Sequence, residues 1–220
     1  MKRLLFVLVL LMLAAPTFAQ WLIPNGDWSS GETGWTRWRA TWGSNEVWAV
    51  PSDGPTPPCG KASFNNGQGS FGWFQRIPDV IAGKTYKVFA DWAGNIGGAG
   101  WAEVMFFAIS SSATDEQIIS RIDTGASADI AYKKDSWGMN PPTSWSWQAA
   151  SSSPHPSGNG GQVTPAADQI LVVGLKVGHS GTSTAWCEWD NIELVPEPTS
   201  LLALGSGLVG LAGMVIRRRR

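Results

Sequence analysis

Tryptophan is the residue type whose chemistry stands out in this chain of 220 residues: there are 14, against two tyrosines and eight phenylalanines. All of them lie between Trp21 and Trp189. An indole offers a flat apolar face and one N–H donor, which suits stacking on the apolar face of a pyranose while amide and charged neighbours take the hydroxyls. The same ring can fill a core, burying roughly 150–250 Å², so position has to separate the two uses. Trp137 sits in Asp135-Ser136-Trp137-Gly138-Met139-Asn140-Pro141-Pro142 and Trp101 follows Gly97-Gly98-Ala99-Gly100. Both read as loop residues with little reason to be core, and both are candidates for ligand contact. Alternation places Trp145 and Trp147 on one face, opposite Ser144, Ser146 and Gln148, and sets Trp38 and Trp42 against Arg37 and Arg39. Trp42, Trp145 and Trp147 complete the candidate set.

Catalytic groups are sparse by comparison. The two histidines, His155 and His179, lie far apart and without metal-ligand spacing. No Gly-x-Ser-x-Gly elbow and no phosphate-cradling glycine loop is present. Asp115-Glu116 are adjacent acids, which does not give the separation across a cleft that glycoside hydrolysis needs. The expectation is a non-enzyme.

The two termini say where these residues work. Lys2 and Arg3 precede an apolar run from Leu4 to Ala15, and Thr17-Phe18-Ala19 supplies small residues for cleavage. Residues 1–19 therefore read as a secretory signal peptide. At the other end, Val195-Pro196-Glu197-Pro198-Thr199-Ser200 leads into an apolar run from Leu201 to Ile216 and then Arg217 to Arg220. Sixteen helical residues span roughly 24 Å, a little short of a hydrocarbon core of about 30 Å. Flanking Thr199, Ser200 and the arginine stems make up part of the difference, so 201–216 reads as a single transmembrane helix with its arginines cytoplasmic.

What remains, 20–194, is one domain by length. Six of the 16 basic residues and one of the 17 acids, Glu197, belong to the two targeting segments, which leaves ten bases against 16 acids, a net of about −6. No basic patch survives to suggest a nucleic acid partner. Cys59 and Cys187 both fall in the exported part, and an oxidising compartment favours a disulfide between them. Such a bridge would add roughly 4–5 kcal/mol on the chain-entropy model.

Short apolar runs alternate with Gly, Pro, Asn and Ser clusters, the pattern of an all-β sandwich or barrel. Strands are expected over 84–92, 101–109, 170–177 and 184–194, with 117–123 a weaker one and no sustained helical period. Long loops are expected over 51–60 and 150–168.

Two family resemblances follow from these motifs. Pro196-Glu197-Pro198, the apolar run and the terminal arginines together resemble the PEP-CTERM sorting signal of Gram-negative bacteria. The resemblance implies an exosortase as processing partner and transient anchoring in the inner membrane with the ectodomain in the periplasm. It then implies cleavage near the motif and release to the cell surface or extracellular matrix.

Asn25-Gly26-Asp27-Trp28 with Gly34-Trp35, then Gly83-Lys84-Thr85-Tyr86, then Trp189-Asp190-Asn191-Ile192-Glu193-Leu194 are similar to the opening, central and closing strands of galactose-binding-like domains. That implies a two-sheet antiparallel jelly-roll sandwich with first and last strands adjacent, as in many carbohydrate-binding modules. It also implies a structural calcium between those strands, with Asp190 and Asp27 as side-chain ligands. Where the family often has a glutamate, this chain has Ser29.

The combined expectation is an exported, non-catalytic saccharide-binding module, with exopolysaccharide as the ligand to test. A structural matrix protein without ligand is the alternative, and a polysaccharide hydrolase the third.

Overall fold

The computed structural model describes residues 23–138 and 142–197. The signal peptide, Trp21, Pro198 and the apolar and basic parts of the tail lie outside the described residues. Among the described residues no helix is long and apolar enough to cross a membrane.

Ten strands form one antiparallel sheet folded over on itself into two layers: β1 (Thr36–Arg39), β2 (Ser44–Ala49), β3 (Gly60–Ile77), β4 (Tyr86–Asn95), β5 (Gly100–Ser110), β6 (Ile130–Asp135), β7 (Ser144–Ala149), β8 (Gln162–Val163), β9 (Gln169–Ser183) and β10 (Trp186–Pro196). The fold class is the all-β sandwich expected from the sequence. One layer runs β6-β5-β9-β3 with β1 beyond, and the other runs β2-β3-β10-β4-β7 with β8 beside β4. β3 belongs to both. Its register passes from β10 at Gly60 to Ser63 onto β9 from Gly67 onward. The turnover coincides with Asn66 at φ 56° and Gly69 at φ 127°, left-handed conformations that Asn and Gly tolerate best.

Period-two alternation explains which side chains meet between the layers. Tyr86, Val88, Ala90 and Trp92 of β4 face inward, as do Leu171, Val173, Leu175 and Val177 of β9. β9 is the central strand that its near-continuous apolar sequence implies, paired with β5 on one side and β3 on the other.

The core is built on indoles. Trp35 stacks on Trp28 (centroids 4.9 Å apart, planes 11° apart), Trp28 meets Trp73 edge-on at 5.0 Å, and Trp73 meets Trp189 at 6.3 Å. Trp28 lies so close over Gly60 that a Cβ there would sit 2.2 Å from its ring. Trp28, Trp73, Trp92, Trp145 and Trp189 each bury an N–H with no acceptor on the protein. That costs about 1–3 kcal/mol each. Burying such a ring returns roughly 4–6 kcal/mol at about 25 cal/mol/Å², so the area wins.

Three sequence expectations are corrected. Residues 117–123 are not a strand but most of a helix, α1 (Asp115–Thr124). A capping box joins Thr114 and Gln117, and Ile118 and Ile122, one turn apart, pack on Phe74, Met105, Phe107 and Val172 outside the first layer. The opening segment around Asn25 is not a strand either but a run of turns. It does lie beside the closing strand, where the Ile192 N–H donates to the Gly26 carbonyl at 3.0 Å.

The third correction is the disulfide, because Cys59 and Cys187 are both free and buried. Cys187 pairs with Ala62 and Trp189 with Gly60, so Cys59 falls three positions along the ladder, roughly 10 Å from Cys187. The two residues are not ladder partners, and a separation of that size is beyond the reach of a disulfide. Burial pushes the Cys59 thiol up to about 12 and the Cys187 thiol well above its usual range. Reductant is expected to leave the melting temperature unchanged, and non-reducing peptide maps should show no Cys59–Cys187 cross-link.

Candidate functional site

Three of the five candidate tryptophans gather at one end of the sandwich. β5 begins at this end, where Gly100 and Trp101 oppose His179 and Gly178 of β9. Trp101 is the second residue of a strand rather than a loop residue. Its ring lies flat over Gly178, where a Cβ would come within 2.1 Å of it. Trp137 follows β6 and leans on Trp101, with centroids 5.8 Å apart and planes tilted by 35°. Its backbone is fixed by an N–H donated to Asp135 Oδ1 at 2.9 Å, and Ser136 N–H donates to the Gly100 carbonyl. Trp137 is 59% exposed and offers an open ring face.

Trp42 lies on the β1–β2 turn, 46% exposed. That turn is tied to β3 by the Ala40 N–H donating to the Ser70 carbonyl, and Ser70 opposes Gly178. The turn that carries Trp42 is therefore about three strand spacings from Trp101, roughly 14 Å at the backbone. Trp38 instead turns inward, 2% exposed, with its indole N–H on the Leu175 carbonyl.

Behind this aromatic rim lies a charged floor that the sequence reading missed. Lys133 Nζ stands 3.4 Å from Glu103 and 3.9 Å from Asp135, and Lys176 Nζ stands 3.4 Å from the other Glu103 oxygen. Lys176 also donates to the Ile122 and Asp123 carbonyls near the α1 C-terminus, where a cation is favoured. Two carboxylates and two ammonium groups thus neutralise each other beneath the surface. The signal was present: Trp101, Glu103, Met105 and Phe107 alternate along β5, and a carboxylate inside an otherwise apolar face needs a buried partner.

His155 is 7% exposed and joins this cluster from the loop beside β6, its backbone N–H on the Ala131 carbonyl. Burial lowers its pKa first and Lys133 second, against the opposing pull of Glu103 and Asp135.

The other candidates lie elsewhere. Trp145 is buried at 8% exposure, edge-on to Trp92 at 5.6 Å, and is a core residue rather than a ligand contact. Trp145 and Trp147 do not share a face, because a bulge between the Trp92–Gln148 and Gly94–Trp145 pairs turns Trp147 outward. There it meets Gly54 of the proline-rich loop, whose Cβ position lies 3.5 Å from Trp147 and 3.0 Å from Asp190 Oδ2. A cavity of about 330 Å³ on that same layer is lined by Phe89, Asp91, Asn191 and Glu193. Its one ring is Phe89, with the Lys87 ammonium 5.3 Å from the centroid.

Asp190 and Asp27, to which the resemblance assigns calcium, both accept hydrogen bonds from nearby N–H and O–H groups. Asp190 is fully buried, and its two oxygens accept the Thr56 N–H at 2.7 Å and the Asn191 N–H at 2.7 Å. Burial raises its pKa, with repulsion from Asp91 and Asp27 adding to the shift. Asp27 accepts instead from Ser29 N–H and Oγ. Among the described residues no three His, Cys, Asp or Glu side chains converge as metal ligands. The donors are committed to turns, which is poor chemistry for a hard cation seeking six to eight oxygens.

The sorting segment is placed at the opposite end. Pro196 opposes Tyr86 at the end of β10, Glu197 N–H donates to the Thr85 carbonyl at 2.9 Å, and Gln162 Nε2 donates to its carboxylate at 2.7 Å. Residues 194–220 match the family described as PEP-CTERM protein-sorting motif. The chain carries a PEP-CTERM sorting signal. No curated protein matches the chain in sequence.

Among solved structures, the chain is similar to the enzymatically active domain of a tailspike protein from bacteriophage CBA120 (TM-score 0.50, 14% identity). That match covers 80% of this chain and only 21% of the tailspike chain. It is also similar to TmCBM61, solved with β-1,4-galactotriose (TM-score 0.46, 14% identity, 81% of this chain and 100% of that one). A family 11 carbohydrate-binding module from Clostridium thermocellum gives TM-score 0.43 at 17% identity, over 77% and 92% of the two chains. At such identities the likeness is one of fold.

Two outcomes follow for this site. A chelator is expected to leave the melting temperature unchanged. For His155, a folded pKa below the unfolded value near 6.5 means its contribution is present above that pH and lost as pH falls through the lowered value. Urea midpoints at pH 7 and pH 5 should therefore fall further in the wild type than in His155→Asn, which keeps an acceptor for Ser157 N–H but does not titrate.

Proposed function

We propose that this is an exported, PEP-CTERM-sorted surface protein whose rim of Trp42, Trp101 and Trp137 binds saccharide without catalysis. The observation that carries the reading is the open face of Trp137, held by its own backbone hydrogen bond and backed by Trp101. A solvent-facing indole held in one orientation offers a flat apolar face on which a pyranose ring can stack.

Rigid support matters as much as exposure. The Glu103, Lys133, Asp135 and Lys176 network fixes the strands under the rim, so little order has to be gained on binding. Glu103 and Asp135 flank the Lys133 ammonium and are 4% and 1% exposed. That is a structural arrangement, unlike the cleft-facing acid and base of a glycosidase.

The partners in this reading are an exosortase acting at the tail, the inner membrane before processing, and exopolysaccharide at the rim. The ectodomain resides in the periplasm while the tail is retained and at the cell surface or in the matrix afterwards. A structural matrix protein without ligand is favoured by one observation: Trp28, Trp35, Trp38, Trp73, Trp92, Trp145 and Trp189 are all buried.

Titration with a panel of polysaccharides, read by tryptophan fluorescence and affinity electrophoresis, separates the two. Trp137→Ala is expected to weaken binding about tenfold, equivalent to about 1.4 kcal/mol, with the melting temperature retained. If no glycan retards the wild type, the matrix reading stands; release of reducing sugar would establish hydrolysis.

A further inference from the structure

We infer that the end of the sandwich where the tail leaves is a lipid-contacting face, with Ile81 as its apolar contact. The inference rests on the reading of 201–216 as a membrane segment. Register locates the two ends of the domain. β10 runs from Trp186, opposite Asn95, to Pro196, opposite Tyr86. Ten residues of β4 separate the levels of Asn95 and Tyr86, roughly 30 Å. The rim tryptophans cluster at the Asn95 end, and the tail departs at the Tyr86 end.

Chain length then sets how far the domain stands from the bilayer. Glu197, the last of the described residues, is bound to the sheet through Thr85, and only Pro198, Thr199 and Ser200 separate it from Leu201. Four Cα–Cα steps span at most about 14 Å, and because Thr199 and Ser200 help to complete the short apolar span, Pro198 alone is left as linker, about 7 Å over two steps. The headgroup layer on each side of the hydrocarbon core is about 5–8 Å thick. Whatever projects from the Tyr86 end must therefore touch lipid.

What projects there is Ile81, 63% exposed and the most exposed of the four large apolar side chains so placed among the described residues. It is not on a loose strap. The Lys84 N–H donates to the Ile81 carbonyl, closing a turn, and the Ile81 N–H donates to Tyr86 Oη at 2.7 Å. Gly83, at φ 75°, donates its N–H to the Pro165 carbonyl, and Thr85 hydrogen-bonds Thr164. Glu197 hangs on the same Thr85 and on Gln162. The turn that presents Ile81 and the residues that hold the tail are one hydrogen-bonded unit. The other three exposed apolar residues, Trp42, Val47 and Trp137, belong to the far end, Val47 opposing Ser63, the register partner of Trp186.

The test uses the full chain in vesicles of phosphatidylethanolamine and phosphatidylglycerol. Ile81→Cys and Val47→Cys are each labelled with an environment-sensitive fluorophore; Cys59 and Cys187 are buried and do not compete. Co-sedimentation with vesicles reports the membrane segment independently of either probe. The expected result is a blue shift and quenching by spin-labelled lipid at position 81, with position 47 unchanged. Co-sedimentation with both probes equally water-exposed overturns the lipid-contacting face and leaves the anchor reading intact. Failure to co-sediment overturns the anchor reading and this inference with it.

Discussion

The structure depends on a row of indoles that spans the gap between the two layers. Trp35 and Trp28 come from the N-terminal turns, Trp73 from β3 and Trp189 from β10, and each ring touches the next. Because Trp28 occupies the space a side chain at Gly60 would fill, the turns, β3 and β10 have to assemble together. Asn25 prepares the first two rings. Its side chain bonds Gly31, Thr33 and Ser30, and its carbonyl accepts the Trp35 indole N–H. Indoles this large leave few small voids to fill, so the close packing that interiors need is met by few residues. The cost is a set of N–H groups without protein acceptors.

A core that consumes so many tryptophans changes what the remaining ones mean. Once the gap is filled, an indole that stays outside is free to offer its face to a ligand. Trp42 and Trp137 are the two that clearly stay outside, and they share one end of the molecule with half-buried Trp101. The strand register makes the domain polar in this sense, with aromatic faces at one end and the sorting segment at the other.

Legibility in the sequence followed the physics of each element. The alternation in β4 and the apolar run of β9 were readable because one or both faces are buried and period two survives undisturbed. β3 was not, because Gly60-Lys61-Ala62-Ser63-Phe64-Asn65-Asn66-Gly67-Gln68-Gly69 looks like loop composition, yet glycines and Asn66 are what let one strand serve two layers. α1 was misread from its isoleucines, although Thr114 followed three residues later by Gln117 is a helix-start signature. Trp145 and Trp147 were assigned one face because a bulge shifts register without leaving a compositional mark. The cysteine pair rests on compartment logic alone, and only register shows that the two are not ladder partners.

The division between domain and sorting signal, drawn from sequence at residue 195, is not a division in the structure. The family match begins at Leu194, a core residue 1% exposed, and β10 continues to Pro196. Leu194, Val195 and Pro196 thus belong to a strand and to a signal at once. Glu197 extends the overlap, since its N–H and its carboxylate are both bound by the domain. A strand end paired on one side only, against β4, is the part of a sheet that opens most readily, because few bonds hold it and little apolar area is exposed when it lifts. An enzyme that grips Pro196-Glu197-Pro198 as an extended segment has to take the first two residues from the sheet. It can do so without unfolding the core only because Leu194, the last fully buried side chain among the described residues, lies just before them.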